Sequence, residues 1–474
     1  MIWSLSWKNV WRNKTRSLVV ISAVTVGIIS GVMIMGVMQG WIEQRMHDAI
    51  YNEVSHIQIH NKEYLGNEEP LFTVIRPEEV ISSVEALPGV RAFVQRTKLT
   101  AMAATPWAAT GLFIYGIDPE KEKSLSEIYK KIVPGAGEYI DKNKDGTILI
   151  SDKTAEILKL KHYIITSGLF DRLGGRHIPY SVMEKLDSLK EVRFRSPKDF
   201  REALRSRLSK KELDKYGKIL IDSALDYRIR SRIQITLTDS AGNPVQGTFR
   251  VCGIYKTTNT GYDQMSAFVN AGELASLCGT GKPMIHEIAV LLHNIEDAES
   301  VRRKLSSLPP GNVVSTWKDL APDAAYMNDF MILYYFIIIG IIMFALAFGI
   351  INTMMMAILE RTKELGMLMA IGMNRRKIFS MIMLETTFLT GVGAIAGMIS
   401  GWLIVSMLGK TGIHFAGWGE GFEAIGFAAV VYPYITTEFF IFVILMVIAT
   451  AVLSSVWPAR KALKLNPVET LRTE

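Results

Sequence analysis

Charged residues are missing from four long stretches of this 474-residue chain. A helix of about 20 apolar residues is long enough to cross the hydrocarbon core of a bilayer. A buried helix of a soluble protein seldom stays uncharged over such a length. The four stretches, of 26, 30, 24 and 21 residues, are Ser17–Ile42, Phe330–Leu359, Thr386–Gly409 and Phe439–Ala459. They predict transmembrane helices at residues 17–42, 330–358, 386–409 and 439–457.

Recognisable catalytic motifs are also lacking. A phosphate-binding loop needs a glycine, four further residues and then Gly-Lys-Ser or Gly-Lys-Thr. Gly409-Lys410-Thr411 matches only the end of that pattern, because Ile404 stands where the first glycine should be. The eight histidines are scattered, and no group of His, Cys and carboxylates has zinc-ligand spacing. We therefore expect no catalytic, cofactor or metal site in this chain, and no enzymatic activity of its own.

Cysteine is scarce. Cys252 and Cys278 both lie between the first and second predicted spans. Sequence alone does not show whether two cysteines have the geometry of a disulfide. A disulfide and two incidental buried thiols both stay open.

The excess of basic over acidic residues is concentrated in segments beside the predicted spans. Residues 1–16 carry four basic residues and no acid, and residues 360–385 and 458–474 each have a net charge of +2. The loop 410–438 has a net charge of −2. Cytoplasmic loops of membrane proteins carry the excess of Lys and Arg. This predicts cytoplasmic N- and C-termini, with residues 43–329 and 410–438 outside.

The first 16 residues form a candidate interfacial helix. Trp3, Trp7 and Trp11 are four residues apart, with Lys and Arg around them. Tryptophans on one helical face favour the headgroup region of a membrane. We predict a cytoplasmic amphipathic helix over residues 1–16.

Residues 43–329 combine strand-like and helix-like patterns. Val54–His60 and Thr248–Tyr255 are rich in β-forming residues, whereas Arg76–Leu87 has apolar residues at helical spacing. Such mixing indicates an α+β domain. Near residues 160–218 a basic helical insertion is expected, with a helix-like stretch from Pro197 that Gly217 would end. It could be a basic arm that touches a partner or lipid headgroups, or a solvated helical insertion.

The region after the second span carries a specific motif. Asn352-Thr353 is followed by Glu360-Arg361-Thr362 and by residues at fixed spacing, with Glu385 at the start of the third span. The spaced residues are Glu364, Gly366, Ala370 and Gly372. This pattern closely resembles the FtsX/MacB/LolC-LolE superfamily of ABC-transporter permeases. The tail, with Pro458-Ala459-Arg460 and Asn466-Pro467, is similar to the C-terminal signature of that superfamily.

The resemblance implies a type VII ABC permease. Its fold would be four transmembrane helices with a large α+β extracytoplasmic domain between helices 1 and 2. A cytoplasmic ABC ATPase dimer, which binds ATP-Mg, would push on a coupling helix at about Leu359–Ala370, in a cytoplasmic helix and loop over residues 359–385. Leu365, Leu368 and Met369 would rest on the membrane. The residues expected to serve ATPase coupling are Glu360, Arg361, Lys363, Glu364, Gly366, Ala370 and Gly372.

Within the superfamily, the segment Gly253–Thr257 before Gly261-Tyr262-Asp263 looks most like the lipoprotein-releasing permeases. This implies a subunit of the bacterial inner membrane that extracts lipoproteins from the outer leaflet for transfer toward the outer membrane. The alternatives are a MacB-like efflux permease for a drug or peptide, and an FtsX-like regulator of cell-wall hydrolases. Expected partners are the ATPase dimer, a second permease copy or paralogue, the lipoprotein, membrane lipids and a periplasmic carrier, with no nucleic acid.

Glycines within the spans recur at four-residue spacing, which places a smooth strip on one face of a helix for close helix contact. The strips are formed by Gly27 and Gly31 in the first span and by Gly393, Gly397 and Gly401 in the third. They predict helix packing without naming the partner helix.

Overall fold

A computed structural model describes residues 2–173, 178–305, 308–415 and 419–463 of the chain. It divides into two compact units. The membrane unit comprises Met1–Arg45, Tyr326–Gly419 and Ala428–Glu474. The outer domain comprises Met46–Ala325 and the short segment Glu420–Phe427.

Among the residues that the structure describes, four helices are long and apolar enough to cross a membrane. The first to fourth spans are Lys14–Asp48, Pro322–Glu360, Arg375–Thr411 and Thr437–Leu463. Each helix extends beyond its charge-free run, because backbone hydrogen bonding continues past the apolar core into charged segments. The first span continues as a π-helical turn, Ala49–Val54, in the outer domain. Two short strands, Ile413–His414 and Val430–Val431, pair between the third and fourth spans.

Two shorter helices complete the described membrane unit. The interfacial helix Ile2–Arg12 precedes the first span. The coupling helix Thr362–Ala370 follows the second span and begins three residues later than the start of the predicted segment 359–385. Most of the loop expected there is helical, because Arg375 already begins the third span. At the C-terminus the fourth span runs to Leu463, and the rest of the predicted tail 458–474, with Asn466-Pro467, lies outside the described residues.

The outer domain is built from short strands and helices in alternation. The strands are β1 Ile57–Asn61, β2 Val90–Ala104, β3 Ala109–Ile117, β4 Ile132–Gly137, β5 Thr147–Ser151, β6 Lys161–Ile164, β7 Arg193–Phe194, β8 Leu225–Tyr227, β9 Arg232–Thr238, β10 Pro244–Tyr255, β11 Ser266–Asn270, β12 Glu287–Leu292 and β13 Asn312–Thr316. The helices are Tyr64–Asn67, Pro77–Glu85, Pro119–Glu122, Asp152–Ile157, Ser167–Leu173, Tyr180–Lys185, Pro197–Arg207, Lys210–Ala224, Thr260–Met265, Ala271–Leu277, Ala298–Lys304 and Trp317–Leu320. With the four spans, this architecture confirms the predicted fold class.

One half of the outer domain is a four-stranded antiparallel sheet in the order β13-β1-β12-β2. Helix Pro77–Glu85 connects β1 to β2, and helix Ala298–Lys304 connects β12 to β13. This is the βαββαβ arrangement of ferredoxin-like folds. Val80 and Val84 of the first helix and Val301 of the second belong to the core of this sheet.

The other half is a six-stranded barrel inserted between β2 and β12. Only the first part of β2 pairs with β12; from Thr97 onward the strand pairs with β3. The pairs β3-β11, β11-β5, β5-β10, β10-β9 and β9-β2 then close the ring. Closure removes unpaired strand edges, and the interior is filled by fully buried side chains such as Leu99, Ile114 and Ile235. Strand β2 therefore belongs to both halves.

The insertion predicted near residues 160–218 is a small folded module that ends later, at β8. It contains a three-stranded sheet, β7-β6-β8, and a core that includes Phe200, Leu204 and Leu220. The predicted single helix is two helices, because Ser209 and Glu212 form a capping box that starts a new one. Gly217 lies buried inside this second helix and does not end it.

Candidate coupling site

The coupling helix is a short element between two turns. The second span ends at Glu360, and Arg361 leaves the helical conformation before Thr362 starts the next helix. At the other end Gly372 has a φ of +93°, which strains any residue with a side chain. The glycine therefore permits the turn into Asn374, whose side chain accepts a hydrogen bond from the Arg376 amide at 2.9 Å.

The apolar face of the coupling helix packs against the other helices of the membrane unit. Leu365 is 3% exposed and shares a core with Ile378 and Met381 of the third span. Leu368 and Met369 are half-buried against the same core. For Leu365 the expectation that this face rests on the membrane is wrong, since neighbouring helices cover its side chain.

Arg361 connects the coupling helix to the third span. Its Nε donates to Glu364 at 3.1 Å, and its Nη1 donates to Glu385 at 3.1 Å. Glu385 is 2% exposed, so Arg361 pairs with a buried carboxylate. We call Arg12, Arg361, Glu364 and Glu385 the coupling network.

Arg12 reaches the same network from the interfacial helix. Its Nη1 donates to Glu364 at 2.9 Å, and its Nη2 contacts the other carboxylate oxygen. The hydrogen bonds from Arg12 and from Arg361 lower the pKa of Glu364 below its ordinary value. One carboxylate on the coupling helix thus joins two arginines from different segments.

Contacts with the third span position the interfacial helix. Ser6 donates a hydrogen bond to the Met381 carbonyl at 3.3 Å. The rings of Trp3 and Trp7 lie 5.6 and 5.5 Å from the ring of Phe388. The tryptophans predicted to anchor the helix in the membrane interface therefore also anchor it to the protein.

The remaining predicted coupling residues divide into exposed and buried positions. Glu360, Lys363 and Ala370 are exposed, whereas Gly366 is buried. Met367 and Ile371 are also exposed, by 53% and 79%. Lys363, Met367 and Ile371 are four residues apart and share one face. We call these three residues the docking face.

Sequence reasoning missed the two apolar members of the docking face and the part played by Arg12. The four-residue spacing of Lys363, Met367 and Ile371 was a usable signal. Nothing local marks Arg12 as the partner of Glu364, because the two residues are 352 positions apart.

The glycine strips lie in contacts between spans of the same chain. A Cβ on Gly397 would come within 2.9 Å of the Thr25 carbonyl oxygen, and one on Gly393 within 2.9 Å of the Ile21 carbonyl oxygen. Gly401 faces Val32. On the other side of the first span, Gly27 and Gly31 face Leu346 and Ile342 of the second span. The first span therefore packs between the second and the third.

The outer domain shows little that suggests metal or thiol chemistry. Among the described residues, no group of three or more His, Cys, Asp or Glu side chains could hold a metal ion. Cys252 and Cys278 are free thiols. Burial raises the pKa of Cys252 to about 12 and that of Cys278 to about 11, so both are poor nucleophiles at neutral pH.

Comparison with known proteins finds similarity over part of the chain. Residues 336–467, from the second span through the coupling helix to the fourth, match the family model "FtsX-like permease C-terminal". An uncharacterized ABC transporter permease of Methanocaldococcus jannaschii is 30% identical over 233 residues, which cover 48% of this chain and 55% of the relative. In residues 336–467 the chain is therefore similar to FtsX-like permeases.

Two further similar proteins match a smaller part of the chain or match it at lower identity. The macrolide export ATP-binding/permease protein MacB of Chlorobium luteolum is 36% identical over 127 residues, covering 27% of this chain and 16% of that protein. The extracellular domain of the transporter YknZ from Gram-positive bacteria aligns with a TM-score of 0.28 and 13% identity, over 55% of this chain and 99% of that one. The chain thus spans about half the length of the Methanocaldococcus jannaschii protein, and a smaller share of the Chlorobium luteolum protein.

Proposed function

We propose that this permease transmits the energy of ATP hydrolysis from a separate cytoplasmic ATPase dimer to the outer domain, and so extracts lipoproteins from the outer leaflet of a bacterial inner membrane. The observation that carries the proposal is the coupling helix itself. The coupling network and Leu365 hold its inner side. The docking face on its other side is exposed and mixes one charge with two apolar side chains.

The docking face suits a protein groove. An amphipathic helix binds such a groove through residues at four-residue spacing, and here Met367 and Ile371 provide the apolar contacts. Lys363 adds a charge that selects the partner. Because the coupling network ties this helix to the third span and to the interfacial helix, a push on the docking face would move all three together.

A groove between the first and second spans supports a cargo with acyl chains. It has a volume of about 460 Å³ and is lined mainly by apolar residues, among them Val24, Gly27, Ile342 and Leu346. An acyl chain fits this chemistry, whereas a hydrophilic solute does not. Each buried methylene of an acyl chain contributes roughly 0.8 kcal/mol to membrane anchoring, so extraction of a lipoprotein requires work.

The docking face provides the first test. Ile371→Asp places a charge in the apolar contact and should abolish co-purification of the ATPase while the permease stays in the membrane. The matched control is Ile425→Asp, because Ile425 is a similarly exposed isoleucine, at 64%, in the outer domain. Normal ATPase recovery with Ile371→Asp would contradict the docking assignment.

Depletion provides the test of the cargo. Cells without the permease should retain lipoproteins in the inner membrane, which fractionation and immunoblotting would show. Correct lipoprotein sorting after depletion would contradict lipoprotein release.

A second candidate function is export of a macrolide-like drug, since similar proteins carry the name macrolide export ATP-binding/permease protein MacB. On this alternative, depletion would leave lipoprotein sorting unchanged and lower the macrolide concentration that stops growth.

A further inference from the structure

Three consecutive residues that follow β10 each bind a different carboxylate. The Lys256 ammonium lies 2.9 Å from Glu423. The Thr257 hydroxyl donates to Asp263 at 2.7 Å, and the Thr258 hydroxyl donates to Asp48 at 2.6 Å. Three separate parts of the chain therefore meet at one tripeptide.

The middle contact belongs to the barrel. Asp263 is 3% exposed and also accepts a hydrogen bond from the Thr257 amide at 3.0 Å. Its main-chain oxygen accepts hydrogen bonds from the hydroxyls of Ser151 and Thr154, at the end of β5 and in the next helix. The Lys256 amide donates to the Lys131 carbonyl at 3.0 Å, next to β4. The backbone of the tripeptide is thus connected to β4 and β5, the two strands that pair with the last part of β10.

The two outer contacts lead toward the spans. Asp48 is the last residue of the first span, and it also accepts hydrogen bonds from Lys131 at 3.2 Å and from Asn52 at 2.8 Å. Glu423 lies in the short helix Gly419–Ala424, which sits in the connection between the third and fourth spans. Two of the three carboxylates are therefore continuous in sequence with membrane-spanning helices.

We propose that Lys256–Thr258 is the relay through which movement of the first span and of the connection between the third and fourth spans enters the barrel. The inference rests on the proposed function, because it assumes that the spans move when the ATPase acts. Lys256 and Thr258 are positioning residues: they bind no cargo, and they transmit displacement because each is held by a carboxylate on a different segment. The buried Thr257–Asp263 contact keeps the tripeptide fixed to the barrel.

The structure also explains why this segment is suited to a relay. The last residues of β10 pair with β5 and β4, so their displacement reaches two other strands directly. Contacts formed by a charge pair and by hydroxyl-to-carboxylate hydrogen bonds are directional, unlike apolar packing. A shift of Asp48 or Glu423 is therefore passed on with a defined direction.

The test uses the full permease purified together with the ATPase that accompanies it from the membrane. Hydrogen exchange is measured with and without ATP and vanadate. In the unmodified complex, the nucleotide should change exchange at the end of the first span, in residues 46–54, and in β10 and β5. Lys256→Glu and Glu423→Lys should each reduce the change in β10 and β5 by about tenfold, the order expected for directly coupled residues, and leave the change at residues 46–54.

Charge reversal at both positions should restore the response of the barrel, because the ion pair is re-formed with opposite polarity. Thr258→Val removes one hydroxyl with little change of volume and should also weaken the response of the barrel. It replaces a charge-reversal variant that fails to fold. The control is Lys142→Glu, since Lys142 pairs with Asp118 at 3.3 Å but contacts neither Asp48 nor Glu423.

The possible outcomes separate the relay from the proposed function. A barrel response that survives both single reversals and Thr258→Val, or a double reversal as impaired as the single ones, would overturn the relay and leave the proposed function standing. No nucleotide response at residues 46–54 or in the barrel of the unmodified complex would overturn the proposed function, and the relay with it.

Discussion

Two arginines in different parts of the chain are each held by two carboxylates, and their surroundings differ. In the outer domain Arg96 lies 2.6 Å from both Glu122 and Glu287, and all three side chains are 6% exposed or less. In the membrane unit Arg361 binds Glu385 and Glu364, but its own side chain is 18% exposed and that of Glu364 is 37% exposed. The same type of ion-pair network is therefore buried in the outer domain and partly exposed in the membrane unit.

The difference indicates different roles. Arg96 lies on β2 at the point where the strand leaves the four-stranded sheet and enters the barrel, so its buried ion pairs hold two halves of one domain together. Arg361 lies between two helices and shares Glu364 with Arg12 of the interfacial helix. A partly exposed network can be rearranged at lower cost than a buried one. We infer that the first is a fixed structural element and the second a movable one.

The largest expected effect is that of Arg96→Met. It leaves two buried carboxylates without their partner, which should lower the free energy of unfolding of the outer domain by about 3–5 kcal/mol. Thermal unfolding of the full chain in detergent, followed by tryptophan fluorescence, would measure it. A loss no larger than that of Arg361→Met would remove the proposed distinction.

Arg361→Met should have the second-largest effect. Glu385 would lose a charged hydrogen-bond partner, at a cost of roughly 1.5–3 kcal/mol, in the membrane unit and not in the outer domain. Hydrogen exchange of the third span and the coupling helix would locate the loss. Protection changes confined to the outer domain would contradict this assignment.

Protonation of Glu364 at low pH should have a smaller effect on stability. Its folded pKa is depressed, so the stabilisation from its arginine contacts is complete above the ordinary value of 4.5 and is lost as the pH falls through the folded pKa. The difference in melting temperature between the unmodified chain and Glu364→Gln should therefore shrink as the pH is lowered from 7 to 4. A difference that is constant over this range would show that the contacts do not depend on the charge of Glu364.

Arg302→Gln should have the smallest effect and serves as the exposed reference. Arg302 also faces two carboxylates, Asp319 at 3.2 Å and Glu299 at 3.7 Å, but its side chain is 42% exposed. Exposed ion pairs contribute less than about 1 kcal/mol. A loss equal to that of Arg361→Met would mean that burial does not determine the order of the three arginines.

Local patterns in the sequence predicted part of this architecture. The resemblance carried by the motif from Glu360 to Gly372 implied a coupling helix in residues 359–385, and the structure has the helix Thr362–Ala370 there. The insertion was less predictable: helical spacing from Pro197 suggested one helix, whereas the capping box at Ser209 divides it. The strands β6, β7 and β8 around it are two to four residues long, too short for an alternating pattern to be recognised.

The absence of charge from four stretches determined the membrane helices, since each spanning helix satisfies its own backbone hydrogen bonds and needs only length and apolarity. Tertiary structure alone decided which polar groups meet. Thr258 and Asp48 are 210 residues apart, and Ser6 and Met381 are 375 residues apart. The closure of the barrel likewise depends on β9 returning to β2. Such contacts depend on the simultaneous packing of distant segments, which leaves no periodic or local signal in the chain.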